Sequence, residues 1–226
     1  VSAVTMLQQT TLHMTSFSVD GQAIDPGLIG GDTSRYESHA LAGLVRTDMW
    51  LLPFVNVGFI LGGVTTSTDV TLDVLSGIPI PDVGGEVELP AISTTSLIYG
   101  AGATVAGGVG NFFATIDMQY ITAFTEAADL DVTMTIATPI IGYNFQSVGV
   151  RVLAGGQYQD LKEELVAKVD LNGDGTDNVV RVGLQSEKWA ALIGVEKGFN
   201  RHWNGSLMYS SGDDRSSFNM MIGYRW

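Results

Sequence analysis

The last eleven residues of the chain, SSFNMMIGYRW at 216–226, carry an apolar residue at every second position. Successive side chains of a β-strand point to opposite faces, so this spacing gives one apolar face and one mixed face. The same alternation recurs in the segments at residues 111–124, 147–159 and 186–199. The pattern therefore predicts an all-β chain in which each strand must place an apolar face against something apolar.

The mixed faces of these strands decide what the apolar faces meet. Charged residues make up only 15% of the chain, whereas a soluble domain carries about 25%. A water-soluble sandwich or barrel would place charged residues densely on its solvent face, but the mixed faces here are mostly Gly, Ala, Ser, Thr and Gln. The sequence favours lipid against the apolar faces, and a soluble sheet remains the alternative.

Charge and cysteine content exclude several classes of function. The net charge of −13 argues against nucleic-acid binding, which requires a basic surface. The chain has no Cys, so disulfide frameworks and thiolate metal sites are excluded. There is no run of about 18 apolar residues that would predict a transmembrane helix.

The links between the strands alternate strictly between short and long. The short links lie at residues 49–54, 107–111, 143–147 and 198–203, and the longer, acidic links lie at 18–34, 66–92, 125–131, 160–180 and 211–215. An up-and-down meander puts the two kinds of link at opposite ends of the sheet. Aromatic residues mark both ends. Those near the short links are Trp50, Phe54, Phe112, Phe145, Phe199, Trp203 and Trp226, and those further along the strands are Tyr120, Phe124, Tyr158, Trp189, Tyr209 and Phe218.

Strand direction predicts the number of strands. Nine strands centred near residues 41, 60, 100, 117, 137, 153, 190, 207 and 221 alternate in direction, so an even barrel needs one more upward strand. Residues 4–19 are the candidate, which gives ten strands in a single domain over residues 1–226. Eight or twelve strands are the alternatives, if residues 1–33 form a plug instead of the first strand or if residues 66–92 contain further strands.

Together, these features resemble bacterial outer-membrane β-barrels. In such barrels the assembly machinery reads a terminal aromatic residue with apolar residues at alternate positions before it, which here corresponds to Ile222, Tyr224 and Trp226. Phe is the usual last residue, so Trp226 departs from the pattern. The resemblance implies a transmembrane up-and-down antiparallel barrel in the bacterial outer membrane. It also implies contact with membrane lipid and lipopolysaccharide, assembly by the barrel-assembly machinery, and a monomer.

The charged residues on the mixed faces are predicted to point into the lumen. They are Asp117, Arg151, Lys188, Glu196 and Arg225. One interpretation is a salt-bridged core that fills a small barrel. The other is a constriction that selects ions or polar solutes.

A calcium loop is a further possibility at residues 169–178, VDLNGDGTDN. Asp170, Asn172, Asp174 and Thr176 stand at alternate positions, as the ligands of a calcium loop do. Arg181 stands where the closing bidentate Glu would lie, and Asn-Gly and Asp-Gly also favour simple turns. No other cofactor is predicted.

The function predicted from the sequence is a narrow passive channel for small solutes or ions. The alternative is a closed structural or adhesive barrel that acts through its acidic extracellular loops. A barrel hydrolase is the third hypothesis, and it depends on His39 near the loop end, with Glu37 or Ser38 beside it. Because mutual geometry cannot be derived from spacing, the sequence predicts no catalytic residues and no enzyme.

Overall fold

The computed structural model describes residues 1–25, 35–74, 85–125, 130–169, 178–186 and 188–225. No helix in these ranges is long and apolar enough to cross a membrane. The strands are β1 (Ser2–Val19), β2 (Gln22–Ile24), β3 (Arg35–Leu52), β4 (Val55–Val74), β5 (Gly85–Val109), β6 (Phe112–Thr125), β7 (Leu130–Phe145), β8 (Val150–Val169), β9 (Asn178–Gln185), β10 (Trp189–Gly198), β11 (Trp203–Ser211) and β12 (Arg215–Tyr224).

Ten strands close into an antiparallel barrel, as the sequence predicted. Strands β3 to β8 pair in chain order, β8 pairs with β10, and β10, β11 and β12 follow. The lower part of β1 closes the barrel between β12 and β3, with Ser2 opposite Gly223 and Thr10 opposite Arg215. The predicted tenth strand is therefore present, and it contains the segment with the weakest alternation.

The apolar faces of the strands point away from the lumen. Met118, Ile193 and Ile222 are 55%, 63% and 47% exposed on the outer surface, where a soluble fold would bury them. The opposite residues point inward, because side chains alternate along each strand. The barrel thus presents an apolar outer surface around a mixed interior.

Two bands of aromatic residues surround this outer surface. The band at the end with the short turns, here called the turn end, contains Trp50, Phe54, Phe112, Phe145, Phe199 and Trp203, all exposed. The band toward the other end, here called the loop end, contains the exposed Tyr120, Phe124, Trp189, Tyr209 and Phe218. Aromatic bands of this kind are typical of the two interfaces of a membrane-spanning barrel. Trp226 lies outside the described residues.

The strands continue further at the loop end than the sequence predicted. Residues 66–92 and 160–180 were predicted as long loops, but β4 runs to Val74, β5 begins at Gly85 and β8 runs to Val169. That prediction was wrong over most of these residues. The alternation ends near the aromatic band because the apolar surroundings end there, whereas the backbone hydrogen bonds between β4 and β5 continue to Val74 and Gly85.

A second, smaller sheet stands at the loop end. It contains the ends of β8 and β1 together with β9 and β2. Strand β9 pairs with β8 on one side and with His13–Val19 of β1 on the other. The β1–β2 hairpin turns at Asp20 and Gly21, which have φ values of 49° and 79°, and a two-residue turn requires such left-handed conformations. Strand β9 thus joins β8 to β1 at the loop end, beyond the shorter strands β10, β11 and β12.

Candidate functional site

The barrel interior at the turn end is a cavity of about 1100 Å³, here called the vestibule. Its lining includes the charged or amide side chains of Arg46, Asp48, Asp117, Arg151, Glu196 and Asn204. Four of the five residues predicted to carry charge into the lumen line the vestibule: Asp117, Arg151, Glu196 and Arg225. The structure also adds two charged residues that the sequence analysis missed.

Arg46 is the centre of the first group of polar contacts in the vestibule. Its two terminal nitrogens donate to the two carboxylate oxygens of Asp117, at 2.9 and 3.1 Å, and its Nε donates to Asp48 Oδ1 at 2.7 Å. Thr104 and Gln119 also donate to the Asp117 carboxylate. A bidentate pair with further donors satisfies a carboxylate that is largely withdrawn from water. This group links β3, β5 and β6 across the lumen wall.

A glycine on β4 makes room for this group. A Cβ atom at Gly58 would lie 2.8 Å from Asp48 Oδ1, 2.8 Å from the Thr47 carbonyl oxygen and 3.3 Å from Arg46 Nε. Any larger residue would therefore displace both the ion pair and the neighbouring backbone. The absence of a side chain at Gly58 is what lets Arg46 lie against the wall.

Arg151 and Glu196 form a second, more open group. They lie directly opposite each other on β8 and β10, and Arg151 Nη1 is 3.3 Å from both Glu196 carboxylate oxygens. Asn204 Nδ2 donates to Glu196 Oε1 at 3.3 Å, and the Arg151 guanidinium lies 5.7 Å from the centre of the Phe113 ring. The Arg151 side chain is 41% exposed, against 16% for Arg46. Solvent therefore screens the second pair more than the first.

Two of the predicted lumen residues, Lys188 and Arg225, lie at the ends of the barrel. Lys188 precedes β10 at the loop end, where its Nζ is 3.1 Å from Asp160 Oδ1. This hydrogen bond with Asp160 raises the pKa of Lys188 above its ordinary value. Arg225 follows β12 at the turn end, where it lines the mouth of the vestibule and its backbone nitrogen donates to the His202 carbonyl at 2.8 Å.

A second cavity, here called the upper cavity, lies further toward the loop end and has a volume of about 170 Å³. Its lining includes Gln8, Thr10, Ser38, Thr66, Thr68, Thr94 and Ser96, together with Ile98, Ile121, Ala123, Val132, Met134 and Leu161. None of the residues in this lining is Asp, Glu, Lys or Arg. The lining of the barrel thus changes from charged to neutral along its axis, but one buried cation lies behind the neutral lining: the Arg215 guanidinium donates to Gln159 of the upper cavity and to the Gln157 carbonyl oxygen.

The section of the barrel between the two cavities is here called the waist. Its inward residues on β3 to β7, which line neither cavity, include Ala42, Leu44, Ile60, Gly62, Gly100, Gly102, Gln119, Ile136 and Thr138. Ile60 and Ile136 are buried in contact with Ile98 and Ile121 of the upper cavity. Isoleucine side chains therefore fill part of the lumen at this level.

Another apolar group, here called the cap cluster, closes the loop end of the upper cavity. Leu12, Tyr36 and Leu184 are each no more than 3% exposed, and Met14 and Leu161 pack against them. Leu12 and Leu161 also line the upper cavity. The cap cluster joins β1, β3, β8 and β9, so it depends on the crossing of β9 over to β1.

Arg46 and Asp48 were missed because the sequence analysis did not assign the faces of β3. In the segment LVRTDMW, Arg46 and Asp48 stand at alternate positions, and Val45, Thr47 and Met49 occupy the other face of the strand. Since Val45 and Met49 are exposed on the outer surface, the two charged residues must point inward. Alternation within this segment was the signal that could have found them.

The three histidines of the chain lie apart from one another, and only His39 belongs to the hydrolase hypothesis. His13 Nε2 is 2.9 Å from Asp214 Oδ2 at the loop end, and His202 Nδ1 is 2.9 Å from the Arg225 carbonyl oxygen at the turn end. His39 is exposed, opposite Gln9 on β1. The described residues therefore show no catalytic arrangement around His39.

The predicted calcium ligands Asp170, Asn172, Asp174 and Thr176 lie outside the described residues. Within the part of the chain that the structure describes, no group of three or more His, Cys, Asp or Glu residues could hold a metal ion. The calcium loop stays a prediction from the sequence.

Comparison with known proteins identifies the fold. No family model matches this chain, and no curated protein matches it significantly. It is similar to the transport unit of the autotransporter AIDA-I from Escherichia coli, with a TM-score of 0.51 and 11% identity over 100% of this chain and 90% of the other. A KdgM porin matches with a TM-score of 0.37 and 9% identity, covering 100% and 99% of the two chains. The Pseudomonas putida toluene transporter TodX matches with a TM-score of 0.39 and 9% identity, covering 99% and 88%.

The first of these similarities shows that the chain has the fold of a bacterial outer-membrane β-barrel. The other two scores are too low to carry an argument. Identities this low say nothing about which solute, if any, the chain carries, so function must be argued from the interior itself.

Proposed function

We propose that this protein is a monomeric barrel of the bacterial outer membrane that acts as a narrow passive channel for small solutes. The observation that carries the proposal is the presence of two cavities in series inside one barrel, with the vestibule at the turn end and the upper cavity toward the loop end. A barrel with a purely structural role needs no such internal volume, because side chains can fill a barrel of this size.

The surroundings of the proposed channel follow from its outer surface. The apolar faces would meet membrane lipid and lipopolysaccharide, with the two aromatic bands at the interfaces. The alternating C-terminal residues Ile222, Tyr224 and Trp226 would be read by the barrel-assembly machinery. The turn end would then face the periplasm and the loop end the outside.

The waist and the cap cluster make this channel narrow. Ile60 and Ile136 pack with Ile98 and Ile121 at the level between the cavities, and Leu12, Tyr36 and Leu184 pack together at the loop end of the upper cavity. Apolar constrictions of this kind restrict the passage of ions more than that of small neutral molecules, since ions lose hydration there. We therefore expect slow passage with a sharp upper limit on solute size.

Osmotic swelling of proteoliposomes tests the proposal. Vesicles containing the folded protein are transferred into a series of neutral solutes of increasing size, and the rate of swelling is followed by light scattering. We expect swelling with the smallest solutes only, and faster swelling for Leu184→Ala, which opens the cap cluster. Leu207→Ala is the matched control, because Leu207 is exposed on the outer surface.

The second candidate function is a closed structural or adhesive barrel. The buried cap cluster favours it, because its three side chains pack together with almost no exposed surface at the loop end of the upper cavity. If folded wild-type protein and folded Leu184→Ala both leave the vesicles impermeable to every solute, the channel proposal fails and the closed barrel is favoured. Folding of each variant is checked by migration of unboiled samples on a gel.

A further inference from the structure

The upper cavity has two chemically distinct walls. The wall formed by β3, β4 and β5 carries most of the hydroxyl groups, together with Ala40, Val64 and Ile98. On this wall Thr66 lies opposite Thr94 and Thr68 lies opposite Ser38. The Thr68 hydroxyl donates to the Ser38 hydroxyl at 3.3 Å. Ser96, on the same wall, is buried. A molecule in the cavity would find hydroxyl donors and acceptors on this side.

The wall formed by β6, β7 and β8 is aliphatic apart from Gln159. Ile121 lies opposite Met134, and Met134 lies opposite Leu161 on the next strand. Ala123 and Val132 form the adjacent pair on β6 and β7. These side chains give a continuous apolar surface across from the hydroxyl groups.

The two walls together select the chemistry of a ligand. An ion would lose its hydration among lining residues that carry no charge, which is strongly unfavourable. The buried guanidinium next to this lining, that of Arg215, already donates to Gln159 and to the Gln157 carbonyl oxygen. A purely apolar molecule would cover the hydroxyl wall without replacing the hydrogen bonds that water makes there. A neutral molecule with an apolar ring and one hydroxyl group satisfies both walls at once.

The volume of the cavity limits the size of such a molecule. An apolar cavity of about 150 Å³ accommodates a benzene ring, and the upper cavity measures about 170 Å³. One six-membered ring with a small substituent therefore fills it, whereas a disaccharide or a fused ring system does not fit without movement of the walls.

We propose that the upper cavity is a binding site for small neutral amphipathic molecules, of the class of a single ring carrying one hydroxyl group. The inference rests on the proposed function in one respect, because it names the class of solute that the channel takes. Binding itself requires only the cavity, so the two proposals can fail separately.

Fluorine NMR of the whole protein in lipid nanodiscs tests the site, with 4-fluorobenzyl alcohol as the probe. We expect a second, protein-bound resonance that is absent from empty nanodiscs and that saturates as the probe is added. Ala123→Leu fills the cavity and should abolish this resonance. Ala114→Leu, on the outward face of the same strand, should leave it unchanged.

The hydroxyl wall has its own matched pair of variants. Thr66→Val removes one hydroxyl from the cavity with little change in shape, and we expect binding of the alcohol to weaken about five-fold. Thr65→Val removes the neighbouring hydroxyl, which is exposed on the outer surface beside Thr95, and should change nothing. Equal binding of 4-fluorobenzoate and the alcohol, or a bound resonance that survives in folded Ala123→Leu, would overturn the inference.

The swelling assay distinguishes this failure from failure of the channel. Swelling without a bound resonance shows that the channel proposal holds and the binding site is wrong. A saturable bound resonance in vesicles that do not swell shows the opposite, a ligand site within a closed barrel.

Discussion

The vestibule and the upper cavity are built on the same strands but bury polar groups in different ways. On β6, the inward residues Thr115 and Asp117 line the vestibule, whereas Ile121 and Ala123 line the upper cavity. The vestibule holds charges in paired, hydrogen-bonded groups, and the upper cavity holds only neutral groups. The level along the strand, rather than the strand itself, therefore determines the chemistry of the interior.

The difference follows from access to water. The vestibule is larger and lies at the turn end, where solvent can share in the solvation of its charged residues. The upper cavity lies between the waist and the cap cluster, and its lining residues are buried or half-buried, with Thr10, Ile98, Ile121 and Gln159 among the buried ones. A charge is tolerated in the first environment and strongly disfavoured in the second unless hydrogen bonds hold it, as Gln159 and the Gln157 carbonyl oxygen hold the buried Arg215.

The largest expected effect on the free energy of unfolding comes from introducing the same charge into each region. Ile121→Asp places a carboxylate among buried isoleucines, and we expect a loss of unfolding free energy of about 4 kcal/mol or more. Thr115→Asp places it in the vestibule, where the loss should be about 1 kcal/mol or less because water remains available. Urea-induced unfolding in phospholipid vesicles, followed by tryptophan fluorescence, measures both. Equal losses would remove the distinction between the two regions.

Removing the central cation of the vestibule tests how far its charges depend on pairing. Arg46→Met leaves Asp48 and Asp117 without their main partner in a place where the Asp117 side chain is only 17% exposed. We expect the free energy of unfolding to fall by about 3–5 kcal/mol. The same urea titration measures it. A near-neutral result would mean that water alone solvates both carboxylates.

The sequence predicted the faces and number of the strands better than the contents of the lumen. Alternation has a period of two, so residues such as Met118 and Ile222 could be assigned to the outer surface without knowledge of their neighbours. Strand direction then required a tenth strand, and residues 2–19 supply it. Both predictions depend only on local spacing.

Contacts between distant strands could not be predicted in this way. Arg46 and Asp117 are 71 residues apart in the sequence, and they meet only because the sheet curves and Gly58 leaves space between them. The crossing of β9 to β1 was also missed, because it depends on which backbone edge is free above the shorter strands β10 to β12. The cap cluster, with Leu184 on β9, could therefore not be predicted from the sequence.

The strands that line the vestibule and the upper cavity turn their outward faces toward lipid. Met118 lies midway between the aromatic residues Phe112 and Phe124 of β6 and is exposed on the outer surface. Met118→Lys should lower the unfolding free energy in vesicles by about 2–4 kcal/mol, as expected for a charge near the middle of a bilayer. Val109→Lys, beside the turn end, should cost about 1 kcal/mol or less. If the two variants are equally stable, the outer surface does not face lipid.

The smallest expected effect separates the two ion-pair groups within the vestibule. Arg151→Met removes a guanidinium that is 41% exposed, so solvent already weakens its attraction to Glu196. We expect a loss of less than about 1 kcal/mol in urea unfolding at low ionic strength. The loss should shrink further in 1 M salt, where the screening length falls to about 3 Å. The loss from Arg46→Met should persist there, because partly buried pairs are screened much less. If Arg151→Met is as damaging as Arg46→Met at both salt concentrations, the vestibule is as dry around Arg151 as it is around Arg46, and the contrast with the upper cavity rests on pairing alone.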